Sequence, residues 1–155
     1  MRDDIGVTRW LFHDHEAVTI EVSYRINRPV DDLVFGIGVL RADGLEIHGN
    51  NTDIDRIDTP LPEATMDSAY PANGTFRYRI KRLGLLESSY YLDVAAHRRD
   101  GFPFDYHHRL HKFSVRSSLR VSGIFNPEHQ WEFAPDYVSA QSGQGERETK
   151  RAVRG

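Results

Sequence analysis

Apolar and polar residues alternate with a period of two along most of this chain. From Ala17 to Ile26, Val18, Ile20, Val22, Tyr24 and Ile26 fall on one face and Thr19, Glu21, Ser23 and Arg25 on the other. That pattern predicts a strand with one wet side. GTFRYRIKR repeats it, with Phe76, Tyr78 and Ile80 inward and Arg77, Arg79 and Lys81 outward, and HKFSVRS places Phe113 and Val115 inward. Strands with one wet face favour antiparallel pairing over a parallel sheet flanked by helices. Leu33 to Leu40 is apolar on both faces and contains Gly36 and Gly38. Leu45 to Asn50 follows an Asp43-Gly44 hairpin signal,. Ser89 to His97 sets Tyr90, Leu92, Val94 and Ala96 against Tyr91, Asp93, Ala95 and His97. Short strands are expected near Trp10 to His13 and Trp131 to Phe133, about eight or nine in all, a number that suits a sandwich.

Turn residues punctuate these runs at Arg28-Pro29, Asp43-Gly44, Pro71 to Gly74, Asp100-Gly101 and Asn126-Pro127,. No segment sustains a 3.6-residue period between caps, so the pattern predicts an all-β antiparallel sandwich, immunoglobulin-like or jelly-roll, over residues 1–138. Asn51 to Pro71, broken by three prolines, reads as a long surface loop of the kind that often binds something,. Residues 139–155 are polar, charged and glycine-containing and are expected to be a disordered tail,.

Composition narrows the chemistry. A chain of 155 residues suits one domain,. It has no cysteine, which excludes disulfides, thiolate metal sites and thiol nucleophiles,. Twenty basic residues against 23 acidic ones give a net charge of −3, with no overall pull toward nucleic acid,. The opening MRDDIGVTRW lacks the apolar run of a signal peptide, and no stretch approaches a membrane span,. These features lead to the expectation of a cytoplasmic domain.

No nucleotide-binding glycine loop, GxSxG elbow or HExxH motif is present,. The histidines of DYHHRLH, and His13 and His15, are the best case for a metal. His107 and His108 would point to opposite faces of a strand, however, so no metal and no cofactor are expected,. No carboxylate pair is singled out for glycosidase chemistry. More informative are polar and aromatic residues on wet faces: Glu46, His48 and Asn50 on one strand, and Tyr91, Asp93, His97 and Arg99 on another. Asn51, Asp53, Asp105 and Tyr106 lie at or near strand ends. Sugars offer hydroxyls that donate and accept, together with apolar C–H faces, and such side chains beside a ring match them. Any wet sheet face carries residues of these types, so both readings stand at this point. Gly36 and Gly38 would let a ligand approach the backbone, or would make room for a large neighbouring side chain.

Four pieces of the chain, in order, resemble a known family. FGIGVLRADGLEIHGNNT, RLGLLESSYYLDVAAH, FDYHHRLHKFSV and SGIFNPEHQWEF are similar to successive segments of the C-terminal domain of Wzt-type proteins, from about Trp10 to Trp131. Those proteins are ATP-binding subunits of ABC transporters that export O-antigen and related polysaccharides. Glu87-Ser88-Ser89 departs from the family, which usually has Gly before the Tyr.

The resemblance implies a non-catalytic carbohydrate-binding β-sandwich. The domain would recognise the non-reducing end of an O-antigen-type polysaccharide. It would form a homodimer through exchange of its C-terminal strand. Its other partners would be the transporter's ATPase domain and permease, at the inner face of the cytoplasmic membrane. Carried over by position, the resemblance makes the wet faces around His48, Asn50 and Asn51 and around Tyr91, Asp93 and His97 candidate pockets; with Glu46 and Arg99 of the same wet faces these are the candidate ligand-binding residues, with no catalytic residue. A small sugar-processing β-sandwich enzyme and a purely structural dimerisation sandwich are the competing expectations.

Overall fold

The computed structural model describes residues 1–61 and 70–131. Seven strands follow one another: β1 Leu11–His13, β2 Val18–Ile26, β3 Val34–Arg41, β4 Glu46–Asn51, β5 Ala72–Ile80, β6 Ser88–His97 and β7 Pro103–Arg116. Among the described residues there is no helix. The strands form a five-stranded sheet in the order β1-β7-β6-β3-β4 and a two-stranded sheet of β2 and β5. The architecture is therefore the expected β-sandwich.

The stripes read from the sequence build the core between the two layers. Val18 and Ile20 of β2, Ile37 and Val39 of β3, Leu92 and Val94 of β6, and Phe113 and Val115 of β7 are all buried. Tyr90 and Phe113 stack with ring centroids 5.5 Å apart, and the Tyr90 hydroxyl donates to the Leu86 carbonyl at 2.7 Å. That bond satisfies the polar group of a side chain otherwise wholly removed from water. Phe35 stacks on Phe76 at 4.6 Å and so joins the two sheets.

Several expectations need correction. β1 runs parallel to β7, so the larger sheet is mixed; period-two alternation specifies which face a residue occupies, not the direction of the neighbouring strand. The strand expected at HKFSVRS begins at Pro103, so Asp105 and Tyr106 lie within β7. Its first ten residues are all exposed, which removes the alternation that would have revealed it. β5 already begins at Ala72, within the stretch expected to turn. Trp131 is 80% exposed and outside any strand, and the rest of its expected strand lies outside the described residues, as does the tail.

Candidate functional site

Strand register places a row of small residues on the outer face of the five-stranded sheet. Gly38 of β3 stands between Asp93 of β6 and Gly49 of β4, and Gly36 stands between Ala95 and Asn51. Gly38 and Gly49 thus form a floor on which the backbone is accessible, and Gly36, which continues the row, is buried. One row nearer the β3–β4 hairpin, Leu40 lies between Tyr91 and Glu46. On the other side β7 contributes Tyr106 opposite Ala95 and Lys112 opposite Tyr91. The result is a shallow groove with Glu46 and Asn51 on its β4 side and Tyr91, Tyr106 and His108 on its β6–β7 side.

Asp93 organises that second side. The register between β6 and β7 slips between Leu92 and Val94, so His108, Arg109 and Leu110 together face the single residue Asp93. This is a β-bulge, with Arg109 in the left-handed region at φ 51°,. The Asp93 carboxylate, 6% exposed, accepts hydrogen bonds from the Arg109 amide at 2.7 Å, the Tyr106 hydroxyl at 2.8 Å and His108 Nδ1 at 2.9 Å. Burial by itself would raise the carboxyl's pKa. The Arg109 amide, the Tyr106 hydroxyl and His108 outweigh it and hold the pKa below its ordinary value,. The same bond raises the Tyr106 hydroxyl's pKa, helped by burial and by the charges of Asp93 and Glu46. The Tyr106 and His108 rings stack at an interplanar angle of 16°, and Tyr106 remains 58% exposed. Gly38 makes room for this arrangement: a Cβ there would stand 3.1 Å from the Asp93 Cβ.

The hairpin end of the groove is firmly shaped. Gly44 takes a φ of 92°, as the Asp43-Gly44 signal predicts,. Asp43 bonds Arg41 and the Leu45 amide, and its pKa falls to about 2, chiefly through the Arg41 hydrogen bond.

A family model described as the Wzt C-terminal domain matches residues 1–127. The chain belongs to the Wzt C-terminal domain family. Among solved structures, the crystal structure of the C-terminal domain of wzt is similar to this chain, with a TM-score of 0.68 and 16% identity. The similarity covers 80% of this chain and 73% of that one. At that identity it speaks for the fold alone. No curated protein matches. The Wzt C-terminal domain is a non-catalytic family associated with polysaccharide ABC transporters. No helix among the described residues is long and apolar enough to cross a membrane.

The eight candidate residues do not form one cluster in this Wzt C-terminal domain. Glu46, Asn51, Tyr91 and Asp93 share the groove face. His48 and Asn50 were expected beside Glu46 on one face, but a bulge at Ile47 divides them: Val39 pairs with His48 and Leu40 with Glu46. His48 instead turns toward the smaller sheet, where its Nε2 lies 2.9 Å from the Tyr78 hydroxyl. Asn50 donates to Asp55 at 2.8 Å, and the Asn51 side-chain oxygen accepts the Ile54 amide at 2.8 Å. Both residues brace the loop after β4. Arg99 lies beyond the end of β6, not on its face. It pairs with Asp53 at 3.2 Å and Asp58 at 2.7 Å and fastens the same loop. His97 donates to the Arg98 carbonyl at 2.7 Å.

Sequence reasoning missed His108, Arg109 and Lys112 and put Tyr106 at a strand end. A bulge in a strand exposed on both faces leaves no periodic signal. His107 bonds Asp105, at 3.0 Å, and His108 bonds Asp93, so the two histidines serve different carboxylates. No group of three ligand-type side chains among the described residues could hold a metal ion.

A second concavity, of about 680 Å³, lies between the sheets, and none of the eight candidates lines it. Val22 to Ile26 of β2 line it consecutively, facing Phe35, Val94, Phe104 and His107. Consecutive lining residues expose the strand's edge rather than one face. Among the described residues β2 has one strand partner, β5; its other edge is bridged by Arg2 at Thr19 and, from Val22 to Ile26, faces this cleft.

Proposed function

We propose that this Wzt C-terminal domain is a non-catalytic module that binds an O-antigen-type polysaccharide at its non-reducing end for export by an ABC transporter. The observation that carries this reading is the glycine-floored groove. A pyranose ring can settle against exposed backbone where Gly38 and Gly49 remove side chains,. Tyr106 and His108 offer ring faces at the side, and Glu46 and Asn51 offer hydrogen-bonding groups opposite,. Tyr91 contributes less ring surface than expected, because the Arg109 guanidinium covers one face at 5.1 Å from its centroid. Asp93 is the support of the groove; all its hydrogen bonds run to protein groups.

The chain is also proposed to act as a homodimer through its C-terminal strand, with the transporter's ATPase domain and permease as further partners at the cytoplasmic face of the membrane. The edge of β2 from Val22 to Ile26, which has no strand neighbour among the described residues, supports the dimer, since such an edge accepts a strand,.

Titration calorimetry with the polysaccharide made by the source cell tests the binding reading. Binding in the micromolar to millimolar range, about 4–8 kcal/mol, is expected, with no turnover of the glycan. Tyr106→Ala is expected to weaken it about tenfold, by analogy with the worth of a ring contact. Binding untouched by both Tyr106→Ala and Gly49→Val excludes the groove.

A further inference from the structure

The groove ends in an uncommitted positive charge. The Arg109 guanidinium lies over the Tyr91 ring and reaches the β3–β4 hairpin, where a Cβ on Gly44 would stand 3.2 Å from Nη2. Lys112 is the register partner of Tyr91. Neither cation has a carboxylate partner among the described residues, whereas Arg41 at the same hairpin holds Asp43, and Arg98 and Arg99 beyond the other end of β6 each hold an aspartate. The closest buried negative charge, Asp93, is committed to the Arg109 amide, Tyr106 and His108. Glu46 extends along its own strand: its Oε1 would lie 2.8 Å from a Cβ on Gly49, and it is outside ion-pair reach of Arg109.

The placement of Arg109 is itself unusual. A left-handed backbone is unfavourable for a residue with a long side chain, and such conformations persist where surrounding groups enforce them, often at binding sites. The Asp93 carboxylate supplies that enforcement through the Arg109 amide. Stacking on Tyr91 then restricts the side chain, so a guanidinium fork stands pre-ordered at the mouth of the groove,.

We infer that Arg109, assisted by Lys112, recognises a negatively charged substituent on the bound glycan, so that the ligand is an acidic polysaccharide. A planar guanidinium fork matches the two oxygens of a carboxylate or a phosphate. The inference rests on the carbohydrate-binding reading and adds to it the chemical class of the sugar.

The test is a titration of the ¹⁵N-labelled full chain with glucuronate, glucose 6-phosphate, glucose and inorganic phosphate at constant ionic strength, following backbone amides. Saturable shifts at Gly38, Gly49, Asp93 and Arg109 are expected with glucuronate or glucose 6-phosphate, about tenfold tighter than with glucose, the scale of one charge-assisted contact. Whichever acidic sugar binds tighter distinguishes a carboxylate from a phosphate substituent. Arg109→Asn keeps a residue that tolerates the left-handed region and is expected to abolish the preference for the charged sugars. Glucose binding in the groove as tightly as glucuronate and glucose 6-phosphate overturns the inference and leaves the glycan reading standing. Inorganic phosphate binding as tightly as either charged sugar also overturns it, because the site would then read an anion without a sugar. No groove shift with any of the three sugars defeats both readings.

Discussion

Two surfaces of this sandwich expose main chain, and they do so by opposite means. On the outer face of the larger sheet β3 lies between β4 and β6, and Gly38 and Gly49 clear the surface of side chains. In the cleft beside β2 the side chains are present, with an apolar wall of Phe35, Val94 and Phe104, and among the described residues β2 has no strand neighbour along Val22 to Ile26. The first offers a flat surface bordered by rings and hydrogen-bonding groups, which suits a sugar. The second offers a free strand edge and an apolar wall, which suits a β-strand. The chemistry of the linings separates them.

Substitutions can break each region separately. The largest effect is expected from the core beneath both: Phe113→Ala removes a fully buried ring and should cost about 3–5 kcal/mol of stability, read by urea unfolding,. Asp93→Ala comes next. It leaves the Tyr106 hydroxyl, His108 and the Arg109 amide without their acceptor, at a cost of about 1–3 kcal/mol in the same assay, together with loss of glycan affinity,.

Gly49→Val should leave stability within about 1 kcal/mol, because the new Cβ meets only the end of the flexible Glu46 side chain,. It should nonetheless weaken glycan binding by filling the groove floor. Leu33→Arg does the converse in the cleft: glycan affinity stays, and sedimentation shows a weakened dimer,.

The smallest effect is on pH dependence. Asp93 has a folded-state pKa below the ordinary carboxylate value of about 3.9, so its contribution is present above that pH,. That contribution is lost as the pH falls through the folded value. Asp93→Asn should flatten part of the acid limb of the stability profile and leave neutral pH unaltered in slope.

The fold was legible because the chain buries one face of most of its strands. Val18 to Ile26 and Ser88 to His97 alternate as a half-buried strand must. The beginning of β7 was hidden because Pro103 to Lys112 is exposed throughout, so no stripe marks it as a strand. The groove was half legible. Glu46, Asn51, Tyr91 and Asp93 are together, and the close backbone approach read from Gly38 belongs to the same floor, whereas Gly36 is buried. His48 and Asn50 were assigned the wrong face because one extra residue at Ile47 inverts the alternation after it, and sequence carries no mark of that slip,. Tyr106, His108 and Arg109 depend on the β7 bulge in the same way. Arg99 was read as a continuation of β6, whereas its two aspartate partners come from a loop about 40 residues earlier in the chain.

Hydrogen–deuterium exchange of the full chain with and without its source-cell polysaccharide addresses the assignment of the groove most directly. Added glycan is expected to slow exchange in residues 36–40, 46–51, 91–95 and 106–109, and to leave 22–26 unchanged. Slowing confined to 22–26 and 103–107 would move the sugar into the cleft and contradict the account.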